Sequence, residues 1–196
     1  MVHYLSTYKN LRVYGEMGRN MEIEDLRIPV KLKEQYKKIL LARENQDDSD
    51  ASFEADEIER ETTSEEFILA LKMLKVLGGQ YSVQFRDKTV TFPFKFRIMA
   101  DYGTAMTWSE TEGHIGGIES VSWLVYPPQI KDQLKEWYHI FSTNKRQENP
   151  DWEEFNAIGL EVAKMIKANF ADLIEIKYRI FDASAGFTVT DWEIVE

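Results

Sequence analysis

The sequence contains no cysteine and only three histidines among its 196 residues. Without cysteine it forms neither disulfide bonds nor thiolate metal sites, and the cytosol is the simplest location for such a chain. A zinc site needs three or four converging ligands, and His3, His114 and His139 are not spaced to place two ligands on one helix face. We therefore expect surface or structural histidines, no bound metal and no cofactor.

Long apolar runs are also missing. The opening residues, MVHYLSTYKNLRVYG, have no apolar segment after a basic start, and no run of about 18 apolar residues occurs anywhere. Neither a secretion signal nor a membrane-spanning helix is expected. The apolar share is nevertheless 43%, with 13% aromatic residues, which is enough to bury the core of one medium domain or two small units.

Basic charge is scarce in one segment, residues 44–66. This segment holds eleven of the 34 acidic residues and one of the 24 basic residues, so the rest of the chain carries 23 of each. The net charge of −10 therefore comes from this segment alone. An acidic protein without a basic stripe repels nucleic acid, so we expect no DNA or RNA partner.

Catalytic motifs are equally sparse. The sequence has no G-x-S-x-G elbow, and GHIGG at 113–117 is too short for a dinucleotide-binding fingerprint. One pattern imitates the PD…(D/E)xK motif of metal-dependent nucleases, namely Pro150-Asp151 followed by Glu175 and Lys177. We favour a helix cap for Asp151, and for Glu175 and Lys177 we favour solvent-facing positions on a strand. A metal-dependent hydrolase that uses Asp151, Glu175 and Lys177 is kept as the alternative.

Two similar helical phrases, SEEFILALKMLK at 64–75 and DWEEFNAIGLEVAKMIK at 151–167, indicate an internal duplication. In both halves a proline-headed amphipathic helix precedes the phrase, with Pro29 aligned on Pro127, and strand-like segments flank the helices. The pattern predicts an α+β protein of two pseudo-repeated β-α-α-β units. An antiparallel or mixed sheet is expected to pack against about four helices.

The first predicted unit spans residues 1–88 and includes an acidic loop at 44–63, and the second spans 89–196. Together they are expected to form one compact domain. Within the first unit, Ser64 is expected to cap a helix that starts there. Pro93 is expected to mark an edge or a bulge of a hairpin strand.

In the second unit, residues 102–120 are expected to form a glycine-bearing loop that exposes Trp108. Trp137 shares the helical phase of Ile130 and Leu134, which favours a core position. Gly159 lies inside a helix at a cost of about 1 kcal/mol relative to alanine, so we expect another element to pack closely against it.

The acidic segment has two interpretations. The simpler is a solvated charge run, and the functional one is recognition of a basic partner, in which dense carboxylates speed encounter. An exposed aromatic residue in a polar loop is a candidate anchor for a partner. The candidate partner-binding residues are Asp47, Asp48, Asp50, Phe53, Glu54, Asp56, Glu57, Trp108, Glu110 and Glu112.

The phrases PQIKDQLKEWY and WEEFNAIGLEVAKMIK, with the looser LRVYG and EDLRIPVKLKEQY, resemble a set of small bacterial proteins of uncharacterised function. In size and acidity the chain is also similar to immunity proteins, which neutralise toxins of neighbouring bacteria. The resemblance implies a cytoplasmic, non-catalytic protein that inhibits a basic toxin domain by direct binding. It carries no catalytic residues to transfer. A third possibility from the charge pattern is an adaptor whose acidic arm docks within a larger assembly.

Overall fold

The structure is a computed structural model. It describes residues 11–15, 18, 20–46, 53–85, 88–99, 107–110, 118–120, 124–144, 146, 150–181 and 192–196. The chain divides into two compact units, Met1–Phe92 and Pro93–Glu196. Each unit combines helices with a small sheet, so the predicted α+β class is confirmed.

The first unit contains two long helices and a three-stranded sheet. Its elements are β1 (Leu11–Tyr14), a 3-10 turn (Ile23–Asp25), α1 (Val30–Gln46), α2 (Phe53–Leu77), a second 3-10 turn (Gly78–Gln80), β2 (Ser82–Phe85) and β3 (Lys88–Thr89). The strand order is β1-β2-β3, and both pairs are antiparallel. Pro29 precedes α1, where its carbonyl accepts hydrogen bonds from the backbone N–H groups of Leu32 and Lys33.

The core of the first unit follows from strand alternation. Leu11 and Val13 of β1 are buried, as are Val83 and Phe85 of β2. Residues two apart lie on the same face of a strand, so these four side chains form one apolar face. Helix α2 packs against β1 and β2, and the Phe67 ring of α2 lies 5.4 Å from the Phe85 ring, centroid to centroid.

The second unit contains two helices and a five-stranded mixed sheet. Its elements are β4 (Phe94–Ile98), β5 (Thr107–Glu110), β6 (Ile118–Ser120), α3 (Pro128–Asn144), α4 (Trp152–Phe170), a 3-10 turn (Ala171–Leu173), β7 (Ile174–Arg179) and β8 (Trp192–Val195). The strand order is β6-β5-β4-β7-β8. The central pair, β4 and β7, is parallel, and the other three pairs are antiparallel.

An aromatic cluster fills the core of the second unit. Trp137 of α3 is fully buried, as predicted, and stacks on Phe155 of α4 with centroids 5.2 Å apart. Its indole Nε1 donates a hydrogen bond to the Phe155 carbonyl over 3.1 Å. Tyr178 of β7 lies 5.8 Å from the Trp137 ring. Gly159 faces these rings, and the close approach that the sequence predicts for it is confirmed.

The predicted duplication is not confirmed. Pro29 and Pro127 do hold the same local position, since each carbonyl accepts from the N–H groups three and four residues later. The aligned strands pair differently, however, because β1 and β2 are antiparallel while β4 and β7 are parallel. Helical periodicity encodes which face of a helix is buried and carries no information about which strands pair.

The acidic loop predicted at 44–63 is wrong wherever the structure describes it. Residues 44–46 end α1, and residues 53–63 form the first part of α2. Ser64 is therefore no helix cap, because it lies well inside α2 and is buried. Glutamate, alanine and arginine favour the helix even where few apolar residues are present, and acidic residues suit the N-terminal end of a helix dipole.

Two further expectations about strands are wrong. Pro93 lies between β3 and β4, which belong to different sheets, so it marks neither an edge nor a bulge of one strand. Residues 102–120 were predicted to be a loop but contain β5 and β6. Within the described residues, no helix combines the length and apolar character needed to cross a bilayer.

Candidate functional site

The outward face of α2 carries the described end of the acidic segment. Positions 54, 57, 61 and 65 recur at three- or four-residue spacing within this continuous helix, so they share one helical face. The side chains of Glu61 and Glu65 are exposed on it. Lys72 and Lys75 follow toward the C-terminal end of the same face. Acidic residues toward the N-terminal end and basic residues toward the C-terminal end interact favourably with the helix dipole. This order of charges therefore does not destabilise the helix.

A groove with an apolar floor runs between α1 and α2 beside this face. It encloses about 240 Å³ and is lined by Gln35, Lys38, Ile39, Glu65, Ile68, Leu69 and Lys72, which we call the α1–α2 groove. Its floor is apolar, since Ile39 and Leu69 are buried and Ile68 is half-buried. Its rim is charged, with Glu65 nearest the acidic part of α2. The groove thus presents an apolar surface beside exposed carboxylates.

One acid of the segment points inward. Glu66 is only 1% exposed, and Thr62, Thr63 and Ser64 beside it are buried as well. Glu66 lies one helical turn before the buried Ala70, but the exposed Glu65 precedes the buried Leu69 by the same spacing, so helical periodicity alone does not separate the two acids. The acidic segment is therefore not uniformly solvated, and its last part enters the core of the first unit.

Tyr36 of α1 lies close to this buried carboxylate. Burial, which has the largest effect, together with the negative charges of Glu66 and Glu22 raises the pKa of the Tyr36 hydroxyl to about 12. In the second unit, burial raises the pKa of the Tyr126 hydroxyl, and the nearby Thr107 side chain has a smaller effect in the opposite direction. Both hydroxyls therefore keep their protons at neutral pH.

Most of the predicted partner-binding residues are described only by their backbone or not at all. Asp47, Asp48, Asp50 and Glu112 lie outside the described residues. The backbone places Phe53, Glu54, Asp56 and Glu57 at the start of α2 and Glu110 at the end of β5. Their role in binding a partner stays a prediction.

Trp108 differs from its predicted setting. It lies in β5, where it is paired with Arg97 of β4 on one side and Ser120 of β6 on the other, and not in a loop. Its side chain is half-buried, and the indole Nε1 is buried without a hydrogen-bond partner among the described groups. The loop was predicted from the glycines near Trp108. The strand forms because β5 pairs with other strands, and the local sequence does not show this pairing.

The residues of the nuclease-like pattern have structural settings. Asp151 is the N-cap of α4, as predicted, and its carboxylate accepts a hydrogen bond from the Glu154 N–H over 2.8 Å. Glu175 and Lys177 are half-buried on β7 and alternate with buried residues, so they are less exposed than predicted. Among the residues that the structure describes, no three His, Asp or Glu side chains are grouped to hold a metal ion.

Comparison of the chain with protein-family models, with curated proteins and with solved structures finds no match. The resemblance to small bacterial proteins and to immunity proteins therefore stays a prediction.

Proposed function

We propose that the chain is a non-catalytic, cytosolic protein-binding protein, of the immunity type, that inhibits a basic toxin domain by direct contact. The observation that carries the proposal is the position of the α1–α2 groove beside the acidic face of α2. Exposed carboxylates attract a basic partner and raise its association rate, whereas contact with the apolar floor of the groove lowers its dissociation rate.

The acidic segment would act as part of a rigid element. Residues 53–63 belong to the same helix as the groove-lining residues Glu65, Ile68 and Leu69. A partner that binds a preformed helix loses less conformational entropy on binding than one that must order a loop. The candidate residues Phe53, Glu54, Asp56 and Glu57 would extend the contact along α2, and Trp108 would be a separate anchor.

The test compares two pairs of substitutions with the same charge change. The tagged chain is used to capture proteins from its host at low and at high salt, and each captured protein is then produced and assayed for toxicity. The Glu61→Gln/Glu65→Gln variant removes two exposed charges beside the groove. Glu136→Gln/Glu153→Gln removes two exposed charges from α3 and α4 and is the matched control.

We expect a captured protein with a basic domain, whose toxicity the chain suppresses. Its association rate at low salt should fall roughly tenfold in the Glu61→Gln/Glu65→Gln variant and stay unchanged in the control. An Ile68→Asp substitution should raise the dissociation rate. Equal effects of the two charge pairs, or capture of a protein whose toxicity is not suppressed, would contradict the proposal.

A further inference from the structure

The outward stripe of α2 carries charges of opposite sign at its two ends. Glu61, Glu65, Ile68 and Lys72 follow one another at three- or four-residue spacing, so they lie on one side of the helix. Glu61 and Glu65 are exposed, and Ile68 and Lys72 are half-buried. Two acids therefore precede an accessible isoleucine on this stripe, and a base follows it.

The opposite charges of the stripe are too far apart to pair within one helix. Glu65 and Lys72 are seven residues apart, which is about 10.5 Å along the axis of an α-helix. Opposite charges on one helix interact at spacings of three or four residues. Glu61 and Glu65 do have the four-residue spacing, but as like charges they repel each other. A cation from outside the helix would therefore be favourable beside Glu65, and an anion beside Lys72.

A second copy of the chain supplies both charges when its α2 runs antiparallel to the first. The midpoint between Glu65 and Lys72 lies next to Ile68. A two-fold axis at Ile68 therefore places Glu65 of each copy opposite Lys72 of the other, so that the ion pair forms twice. In a parallel arrangement Glu65 would face Glu65, and the charges would repel. The ion pair does not involve Lys75, which already has an interaction in its own chain.

The α1–α2 groove provides this arrangement with an apolar contact. Ile68 and Leu69 lie at the two-fold axis, and with Ile39 of α1 they form the groove floor. A helix that lies along a groove between two others buries its apolar side chains there, as in helix bundles. Each α2 would therefore lie along the groove of the other copy. Val76, one turn after Lys72 and 47% exposed, adds apolar surface to the same stripe.

We propose that the chain forms a homodimer through α2, in which two antiparallel copies of this helix cover the α1–α2 grooves and form the Glu65–Lys72 ion pair twice. The dimer itself does not depend on the protein-binding function proposed above. Its consequence does rest on that function. Since the second copy covers the groove, a basic partner binds the monomer, and dimerisation lowers the apparent affinity for that partner.

The test reverses the charge at one end of the stripe at a time. Glu65→Lys places a lysine opposite Lys72 in the dimer, and Lys72→Glu places a glutamate opposite Glu65. Copies of either variant should therefore repel one another, whereas an equal mixture of the two variants brings opposite charges together at both contacts. Glu136→Lys and Lys131→Glu make the same charge changes on exposed residues of α3 and are the matched controls.

The molar mass of the full chain is measured by sedimentation equilibrium from about 1 μM to about 200 μM, at low and at high salt. We expect the wild type to dimerise, with a dissociation constant that rises with salt. Each single variant should self-associate roughly tenfold more weakly, because the repulsive contact occurs twice. The mixture should form a heterodimer about as tight as the wild-type dimer, and the controls should dimerise as the wild type does.

The dimer is overturned if the wild type stays monomeric throughout, if Glu65→Lys dimerises as tightly as the wild type, or if the mixture stays monomeric although both variants are folded. Folding is checked by circular dichroism. Glu65 is exposed, so Glu65→Lys tests the proposal by itself even if Lys72→Glu does not fold.

The dimer and the protein-binding function fail in different ways. Glu65→Lys should weaken both, whereas Lys72→Glu should weaken the dimer and leave capture of a basic partner intact, because it removes a positive charge from the groove. A monomeric wild type that still captures a basic toxin would overturn the dimer alone. A wild-type dimer that captures no toxin would overturn only the function proposed above.

Discussion

Gly159 shows at the scale of one residue how the second unit is packed. A Cβ atom at this position would lie 2.6 Å from two atoms of the Trp137 indole ring and still closer to the Tyr178 hydroxyl. Trp137 and Tyr178 are both buried, so neither ring has free space into which it can move. The glycine is what allows the Trp137 indole to reach the Phe155 carbonyl on α4.

Gly159→Ala should therefore destabilise the protein by about 2 kcal/mol, although alanine favours helix by about 1 kcal/mol. The free energy of unfolding is measured by urea denaturation. Gly79→Ala is the matched control, since a Cβ there meets nothing within 4 Å. The control should change stability by less than about 0.5 kcal/mol. A Gly159→Ala variant as stable as the wild type would contradict the close packing.

Ala171, which follows α4, has a backbone conformation that alanine rarely adopts, with φ 51° and ψ −128°. Glycine has no Cβ and adopts positive φ without steric cost. We expect Ala171→Gly to stabilise the protein by about 1 kcal/mol. The same change at Ala157, an exposed position inside α4, should destabilise by about 1 kcal/mol. The change in the free energy of unfolding is measured by urea denaturation for both variants. Changes of opposite sign would support the positive φ at Ala171, and changes of the same sign would contradict it.

At the scale of elements, side-chain hydrogen bonds fix both ends of the α4–β7 segment. Asn144, at the end of α3, donates to the Asp151 carbonyl, and the Asp151 carboxylate caps α4. Asn156 of α4 bonds both backbone groups of Phe181, with distances of 2.8 Å each, just beyond β7. It also accepts from the Tyr178 hydroxyl at 3.2 Å. These bonds give Asn156, in the segment WEEFNAIG, a structural role.

Asp151→Ala should cost about 1 kcal/mol of stability through loss of the cap, whereas Asp151→Asn should stay within a few tenths of a kcal/mol of the wild type, because asparagine also caps helices. The two variants are compared by urea denaturation. If Asp151 instead acted through its charge in a metal-dependent hydrolase, both variants would lose hydrolase activity equally although their stabilities differed. An Asn variant as unstable as the Ala variant would show that the cap is not the stabilising interaction.

Helices were the elements best predicted from sequence. Pro29, Pro127 and Asp151 mark helix starts through local backbone chemistry, and each prediction is confirmed. The start of α2 was missed, because low hydrophobicity in the acidic segment was interpreted as a loop although its residues favour helix. The setting of Trp108 was missed for another reason. Its strand partners, Arg97 and Ser120, are chosen by pairing across the sheet, which local sequence does not encode.

At the scale of the whole molecule, two buried tyrosines link stability to alkaline pH. The pKa of Tyr36 is raised from 10.0 in the unfolded chain to about 12 in the folded one, and burial raises that of Tyr126 as well. Above pH 10 the unfolded chain therefore releases these protons before the folded chain does. The corresponding stability is fully present below pH 10 and is lost as the pH rises toward 12.

We accordingly expect the urea midpoint to fall as the pH rises from about 10 to about 12, and to fall less steeply in Tyr36→Phe. In a Tyr36→Phe/Tyr126→Phe double variant the urea midpoint should depend even less on pH, because phenylalanine has no proton to release. Ultraviolet absorbance of tyrosinate gives an independent measure of ionisation in the folded chain. If the urea midpoint of Tyr36→Phe fell with pH as steeply as that of the wild type, the result would contradict the raised pKa of Tyr36.

The sequence by itself determined the α+β class, the proline-headed and Asp-capped helices, the strands at β1 and β7, and the concentration of negative charge in one segment. These properties depend on backbone chemistry and on periodicity along a few consecutive residues. Only the tertiary structure decided that β4 and β7 pair in parallel, that Glu66 is buried while Glu61 and Glu65 are exposed, and that α1 and α2 enclose a groove. The reason is that each of these outcomes depends on contacts between residues distant in sequence, whose energies no local pattern specifies.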